Sequence, residues 1–248
     1  MKHPFPTLLA WLSALTLLSC PTAVLAQMPG GLTDFNPALL QLFGEHKSFS
    51  SRVQLRMTDP SGKELVKTPM GLSLLDGNVR VEVDINQITS SNLDAEGLAL
   101  FKKAGMDRVI SILRPDQGKS VIIFPTAKAM ATEPMSASDT ASFAEKYQIK
   151  ATESGKETLG AHACVRKQVS VTNSKGVRME GTVWYATSLR GFPVKISLPD
   201  GGSIVEMTFS DVKLQKPDVS QFQAPPGTAQ YASVEKLLQE RVFQALSK

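Results

Sequence analysis

The chain has 248 residues, and its 27 lysines and arginines against 23 aspartates and glutamates give a formal net charge of +4. This small excess, without a run of basic residues, excludes the concentrated positive field that nucleic-acid binding needs. A hydrophobic fraction of 42% over this length can form one large domain or two small ones. We find no internal repeat and no break in composition, so one domain is expected.

The first 26 residues have the pattern of a secretory signal peptide. Lys2 supplies the positive start, and the apolar run from Leu8 to Leu18 has the length of a signal-peptide core, too short to span a bilayer. The residues Val24-Leu25-Ala26 predict cleavage after Ala26. A second signal overlaps the first, because Leu17-Leu18-Ser19-Cys20 resembles a bacterial lipobox in which Cys20 is lipidated.

The choice between these two signals decides where the mature protein resides. Cleavage after Ala26 predicts a periplasmic or secreted protein, whereas lipidation of Cys20 would anchor the protein to a membrane. Cleavage is favoured, because Leu18 fits poorly before the Ser-Cys pair and Pro21 is unusual after a lipidated cysteine. Residues 1–26 are then the signal peptide, 27–34 a flexible lead-in and 35–248 one domain, which contains no segment long enough to cross a membrane.

The domain is predicted to begin with a short helix and three antiparallel strands. Asn36 is a typical N-cap, Pro37 a typical first helical residue, and Gly44 would end the helix. From Phe49 the apolar period changes to two, which predicts strands over about 49–58, 64–75 and 79–85. The pair Asp76-Gly77 is a hairpin signal between the second and third strands.

The middle of the chain is predicted to alternate helices and apolar strands. Helical spacing covers 94–105 and 136–147, and strands are expected over 109–113 and 121–124. Residues 121–124 are apolar on both faces of their strand, so we expect both faces to be covered.

The second half is predicted as a run of strands followed by a helix. The strands fall near 149–157, 163–172, 177–187, 192–198 and 203–215. The apolar phase of the last strand slips by one residue near Asp211, which predicts a β-bulge and a strongly curved antiparallel sheet. Ser233 is placed to cap a final helix, whose apolar stripe is Val234, Leu237, Leu238, Val242, Ala245 and Leu246. The predicted fold class is α+β.

Few residues of the mature chain point to catalysis or metal binding. Cleavage after Ala26 leaves Cys164 as the single cysteine, which excludes an intrachain disulfide. The two remaining histidines, His46 and His162, lack the paired cysteines of a zinc site. We therefore expect no enzyme activity, no metal and no cofactor. An enzyme that uses Cys164 with His162 stays a third hypothesis.

Several motifs resemble the LolA/LolB superfamily of outer-membrane lipoprotein carriers. The turn Asp116-Gln117-Gly118-Lys119 and the apolar strand after it resemble that family's Asp-Gly-Lys strand, and Phe222 to Gly227 resembles its Phe-x-x-Pro-Pro-x-Gly-like close. Residues 160–199, which include Gly181-Thr182-Val183-Trp184, are similar to a neighbouring uncharacterised bacterial periplasmic family. The resemblance covers most of residues 35–230 in order.

The resemblance implies an incomplete antiparallel β-barrel with helices packed on its concave face and an apolar cavity between them. In the carriers this cavity accepts acyl chains, and an arginine after a strand locks a lid. The nearest arginine in this chain is Arg80, which lies beyond the corresponding turn at 75–78. The lid mechanism is therefore not expected here.

The predicted function is non-enzymatic binding of a lipid, an acyl chain or another apolar ligand in a half-barrel cavity. Inward-facing apolar residues on a curved sheet line a cavity or fill a core, and the sequence pattern alone does not separate the two. The alternative is a structural or envelope-interaction protein with a fully packed barrel and no ligand. The partners expected are a lipid or an acylated protein. The candidate cavity positions are Val53, Leu55, Val81, Val83, Phe101, Val183, Ile196 and Phe209.

Overall fold

The computed structural model of the protein describes residues 36–90 and 94–247. The predicted cleavage site after Ala26, the lipobox at Cys20 and the lead-in 27–34 lie outside these described residues. Within the described ranges the chain forms four α-helices and one sheet of 13 strands. The predicted α+β class is therefore confirmed.

Each helix begins after a residue whose side chain accepts a hydrogen bond from the first turn. Asn36 accepts from the backbone N–H of Ala38 at 2.9 Å, and Ser233 accepts from that of Lys236 at 3.1 Å, as both predicted caps require. Asp94 and Ser136 cap the two middle helices. The helices are α1 (Pro37–Leu42), α2 (Ala95–Lys103), α3 (Ala137–Ala144) and α4 (Val234–Leu246).

The predicted strands are present, together with three that the sequence pattern did not reveal. The bounds are β1 (Ser48–Thr58), β2 (Glu64–Leu75), β3 (Asn78–Asp84), β4 (Thr89–Ser90), β5 (Arg108–Arg114), β6 (Lys119–Phe124), β7 (Ala129–Pro134), β8 (Gln148–Leu159), β9 (His162–Thr172), β10 (Arg178–Ala186), β11 (Phe192–Asp200), β12 (Ser203–Lys213) and β13 (Ala229–Tyr231). The unpredicted strands β4, β7 and β13 are short. The composition of β7 also gives no strand signal, because alanine and proline do not favour strands. Its strand conformation depends on the pairing with β6.

The strands form a large, mostly antiparallel sheet that does not close on itself. Their order is β13-β7-β6-β5-β3-β2-β1-β12-β11-β10-β9-β8, with β4 paired to β2 beside this path. The pairing of β13 with β7 is parallel, and the other strand pairs are antiparallel. The chain therefore enters the sheet near its middle, at β1, and β12 returns to lie beside β1.

The predicted hairpin and the predicted bulge are both present. Asp76 and Gly77 have φ of 49° and 92°, which is the pair of positive values that a two-residue hairpin turn requires. Asp211 has φ of 50°, and the pairing of β1 with β12 shifts register beside it, between Ser50 and Arg52. The register shift changes the direction of the end of β12 and increases the local twist of the sheet.

Directly opposite residues on neighbouring strands share a face of the sheet, and we call the face that carries Val53 the inner face. Helix α1 packs on this face, where Leu42 and Phe43 join a buried cluster with Phe49 and Val53, the α1 cluster. Helices α2 and α4 pack on the same face of β5, β6 and β7, in a second buried cluster, the α2–α4 cluster. Three of the four helices thus share one face of the sheet.

The opposite, outer face carries a third buried cluster, which lies mainly over β5 and β6. There Val121 and Ile123 pack with Phe222, which belongs to the proline-rich segment after β12. Ile122 and Phe124 of the same strand lie in the α2–α4 cluster on the inner face. The prediction that both faces of residues 121–124 are covered is confirmed.

Two helix predictions need correction. Helix α3 ends at Ala144 instead of Tyr147, because Glu145 is extended and accepts a hydrogen bond from the backbone N–H of Ser174 at 2.8 Å. The buried stripe of α4 stops at Ala245, and Leu246 is 66% exposed at the last residue of the helix.

Candidate functional site

The structure places the eight predicted cavity residues in different surroundings. Four of them lie in the buried α1 cluster, and these are Val53, Val183, Ile196 and Phe209. Phe101 is buried in the α2–α4 cluster instead, so the prediction joins residues from two separate clusters. Val83 is buried opposite Met70 on β2. Only Leu55 and Val81 are half-buried, which leaves their side chains open to contact with another molecule.

Leu55 and Val81 belong to a line of half-buried apolar residues that crosses four neighbouring strands of the inner face. Leu55 on β1 lies directly opposite Met207 on β12. Met70 on β2 lies directly opposite Val53, so it is diagonal to Leu55, the next inner-face residue of β1. Met70 is also diagonal to Val81 on β3, because Val81 pairs with Leu72, the next inner-face residue of β2. We call the line Val81, Met70, Leu55 and Met207 the apolar trough.

The length of the apolar trough follows from the spacing of strands. Diagonal neighbours on one face are about 7–8 Å apart and direct neighbours about 5 Å, so two diagonal steps and one direct step span roughly 20 Å. At the Leu55 end the half-buried surface continues to Met57, Val205 and Leu198, which occupy the next row of the inner face. The trough is therefore elongated, as a chain-like ligand requires.

A group of phenylalanine rings closes the inner face beside the trough. The ring centroids of Phe43 and Phe49 are 4.7 Å apart, and those of Phe49 and Phe192 are 4.9 Å apart with the rings edge to face. Such pairs stabilise one another by about 0.5–1.5 kcal/mol beyond the burial of their area. Helix α1 is held here, beside the half-buried residues of the trough.

The inner face around the trough carries no charge. The inner-face residues of β1, β2, β3 and β12 that the structure describes are uncharged, and they are Phe49, Ser51, Val53, Leu55, Met57, Val66, Thr68, Met70, Leu72, Leu74, Val79, Val81, Val83, Ser203, Val205, Met207, Phe209 and Val212. The charges of these strands lie on the outer face, where Lys195 pairs with Glu206 at 2.7 Å. A surface of this kind favours an apolar ligand over an anion.

Arg80 also lies on the outer face. Its guanidinium is 2.6 Å from the carboxylate of Glu82, and burial lowers the pKa of Arg80. The side chain therefore points away from the apolar trough and is not placed to lock anything over it.

Cys164 and His162 do not form a catalytic pair. The Cys164 thiol donates to the backbone carbonyl of His162 at 3.4 Å, while the imidazole Nδ1 of His162 lies 2.9 Å from the hydroxyl of Ser188. Burial raises the pKa of the Cys164 thiol, which disfavours the thiolate that nucleophilic attack needs. Among the residues described, no group of three side chains is suited to bind a metal ion.

A separate depression has a volume of about 520 Å³. It contains none of the predicted cavity positions. The residues around it are Leu189, Arg190, Val212, Lys213, Leu214 and Gln215.

Sequence reasoning missed Met70 and Met207 as site residues. Both stand in the inward phase of their strands, and methionine is a flexible, polarizable side chain that suits adaptable binding surfaces. The sequence feature that could have identified them is a methionine at an inward-facing position of a strand.

The fold and the site together define an open antiparallel α+β protein with an uncharged trough on one face. No family model matches the chain, and no curated protein matches it. Residues 36–90 and 94–247 contain no helix that is both long and apolar enough to cross a membrane.

Several solved structures are similar to this chain. A LolA superfamily protein from Nitrosomonas europaea is 13% identical with a TM-score of 0.35, over 76% of this chain and 95% of that one. The Mycobacterium tuberculosis lipoprotein LppX is 11% identical with a TM-score of 0.39, over 74% and 97%. LprF from Mycobacterium bovis is 10% identical with a TM-score of 0.41, over 78% and 97%.

A protein of the superfamily that the sequence motifs resemble is thus among the similar structures. At these identities and TM-scores the similarity carries no information about what this chain binds. Any ligand has to be inferred from the chemistry of the trough.

Proposed function

We propose that the protein is a non-enzymatic binding protein for an acyl chain or a similar elongated apolar ligand, which lies in the apolar trough. The observation that supports this function is the line of four half-buried, uncharged side chains across β3, β2, β1 and β12. A continuous line of half-buried apolar side chains on a sheet is consistent with a ligand groove. The ligand would cover side chains that the protein itself leaves half-buried.

The proposal includes the curvature of the sheet. The inner face is the concave one, and the helices on it flank the ligand. The bulge at Asp211 and the position of α1, α2 and α4 on one face support this geometry. The trough then runs along the floor of a half-barrel.

The energy available is adequate for reversible binding. Burial contributes roughly 0.8 kcal/mol per methylene, so eight covered methylenes contribute on the order of 6 kcal/mol. Part of this is offset by the loss of translational and rotational freedom on association. Met70 and Met207 can adjust their rotamers to the bound acyl chain, so the trough should accept a class of similar ligands and not one molecule alone.

The location belongs to the same proposal. We place the mature protein in the periplasm or outside the cell, after cleavage following Ala26, with a membrane anchor at Cys20 as the alternative. A lipid or an acylated protein is the partner in either location.

The competing function is structural, with a fully packed barrel that takes no ligand. The buried clusters under α1 and between α2 and α4 are consistent with tight packing at those two places. The half-buried side chains of the trough favour binding, because a fully packed barrel would bury Leu55, Met70 and Met207.

Native mass spectrometry and lipid extraction of the purified, processed protein test the proposal. The wild-type protein should carry lipid or bind an added acyl probe, and Met207→Asp should lose it because a carboxylate enters the trough. Thr208→Asp is the matched control, since Thr208 is exposed on the outer face one residue away. Wild-type protein that is free of lipid and binds no acyl probe would overturn the proposal and favour the packed alternative.

A further inference from the structure

The sheet contains an unpaired strand edge where β11 and β12 separate. These two strands pair only as far as Lys195 and Thr208, although β12 continues to Lys213. On its other side the end of β12 still pairs with β1. Among the described residues no strand occupies the β11 side of 209–213. Such an edge offers backbone N–H and C=O groups to an added strand.

The 520 Å³ depression lies at this separation. It is lined by Leu189 and Arg190, from the turn before β11, and by residues 212–215 at the end of β12. The backbone N–H of Gln215 has no backbone partner within the part of the chain that the structure describes. The depression is therefore bordered by backbone that another chain can pair with.

The depression has apolar side chains at its base and cations at its mouth. Leu189, Val212 and Leu214 are half-buried and pack against the α1 cluster. Arg190 and Lys213 are exposed, and neither side chain forms an ion pair with another described residue. No carboxylate is among the residues that line the depression. This chemistry suits a ligand with apolar and anionic groups side by side.

The backbone of Arg190 is held from two directions. Its N–H donates to the carbonyl of Thr187 at 3.2 Å, and its carbonyl accepts from Nε2 of His46, also at 3.2 Å. Its φ of 55° lies in the left-handed region, which is costly for a residue other than glycine. The fold therefore fixes where Arg190 stands, while its guanidinium is available to a ligand.

We propose that this depression is a docking cleft for an extended acidic segment of a partner protein. The segment adds as a short strand to the free edge of β12, and its apolar side chains contact Leu189 and Leu214. Its carboxylates pair with Arg190 and Lys213. A fatty acid also combines an apolar part with a carboxylate, but it has no N–H groups to pair with the strand edge.

The docking cleft is a site apart from the apolar trough. Val212 is five residues beyond Met207 on β12, which corresponds to roughly 16 Å along the strand. The ring of Phe209 lies between them and contacts that of Phe192, with centroids 5.8 Å apart. This inference therefore does not depend on the proposed function of the trough.

Fluorescence anisotropy with a labelled hexapeptide of alternating glutamate and leucine tests the cleft. The processed protein should bind this peptide and should not bind its counterpart of alternating lysine and leucine. Lys213→Glu and Arg190→Glu should each weaken binding by roughly 3- to 20-fold, because each replaces an exposed attraction by a repulsion.

Lys175→Glu is the matched control. It makes the same change of charge at an exposed lysine in the turn 173–176, at the other end of β10 from Arg190. This variant should bind the acidic peptide as the wild type does. All three variants should melt at the wild-type temperature, since the substituted side chains are exposed, and this measurement excludes unfolding as the cause of weaker binding.

Hydrogen–deuterium exchange locates the bound peptide. The acidic peptide should slow exchange of the backbone amides in 209–215. It should leave β8 unchanged, although β8 also has an open edge, because lysines and glutamates and a bulge near Gly155 protect that edge.

The outcomes separate the cleft from the trough. No binding of the acidic peptide, equal binding of the basic one, or equal losses in Lys175→Glu and Lys213→Glu would overturn the cleft. Protection of β8 instead of 209–215 would overturn the site, and displacement of the peptide by dodecanoate would overturn the ligand class. Met207→Asp should bind the peptide normally, so failure of the trough leaves the cleft intact.

Discussion

The ring of Phe43 stands edge-on to the ring of Phe209, with centroids 5.6 Å apart and an angle of 86° between the ring planes. Phe43 is the residue after α1, and Phe209 lies on β12, so this contact joins the start of the domain to a strand formed about 160 residues later. A helix of six residues is too short to be stable alone. Its position therefore depends on such contacts with the sheet.

Phe43→Ala is expected to lower the free energy of unfolding by roughly 3–5 kcal/mol, because it removes a buried ring and leaves a cavity. The measurement is urea denaturation of both proteins. Phe243→Ala is the control, since Phe243 is 71% exposed on α4 and its loss should change stability by no more than about 0.5 kcal/mol. Similar losses in both variants would contradict the role assigned to α1.

Gly181→Ala is expected to destabilise the protein by roughly 1–3 kcal/mol. A Cβ at this position would lie 2.6 Å from the carbonyl oxygen of Ser197 and would collide with the side chain of Leu198. Gly71→Ala is a matched control in another strand, because its Cβ would meet only the Cβ of Glu82, at 3.6 Å. Thermal melting of the two variants checks the prediction, and an unchanged melting temperature for Gly181→Ala would refute it.

The stability of the protein should fall between pH 10 and pH 12 through Tyr185. Burial raises the pKa of Tyr185 from 10.0 to about 12. In this range the unfolded chain releases the phenol proton and the folded chain keeps it, so rising pH favours unfolding by on the order of 2 kcal/mol. Tyr185→Phe should flatten this part of the curve of unfolding free energy against pH. Parallel curves for the two proteins would argue against the assignment.

Cys164 should resist alkylation in the folded protein. The thiol is buried, and burial raises its pKa, so both access and the thiolate fraction are low. Iodoacetamide at pH 8, followed by intact mass measurement, should leave the folded chain unlabelled over a time that labels the urea-unfolded chain fully. Equal labelling rates would reopen the hypothesis of an enzyme that uses this cysteine.

The mass of the mature protein should correspond to a chain that begins at Gln27. This follows from cleavage after Ala26, which the small residue at that position favours. The measurement is intact mass spectrometry of protein exported by a bacterial host. A chain that begins at a diacylglyceryl Cys20 would show instead that the lipobox is used.

Much of the fold could be predicted because its signals are local. The period-two pattern of Val79, Val81 and Val83 identifies β3, and Asp76-Gly77 identifies the turn before it. Strand β7 could not be predicted in this way, because its alanines gain their strand conformation from β6 and β13 and not from their own preference.

The candidate site was less predictable than the strands that form it. Alternation places Val53 and Leu55 on the same face equally well, and the exposure of each depends on where α1 lies. Phe43 packs in one buried cluster with Val53 and Phe209, whereas Leu55 and Met207 are half-buried. Val53 and Leu55 differ in exposure because of contacts with residues that are distant in the chain. No local sequence pattern could therefore distinguish them.

The unclosed edges of the sheet set a limit on how selective the protein can be. In a closed barrel the number of strands and their shear fix the radius, and so the size of molecule that fits inside. In the part of the chain that the structure describes, β8 and β13 each pair on one side only, and the sheet can open or tighten about the strands near the bulge without breaking a hydrogen-bonded ring. Affinity should therefore change gradually with the bulk of the guest, with no sharp cutoff at one chain length.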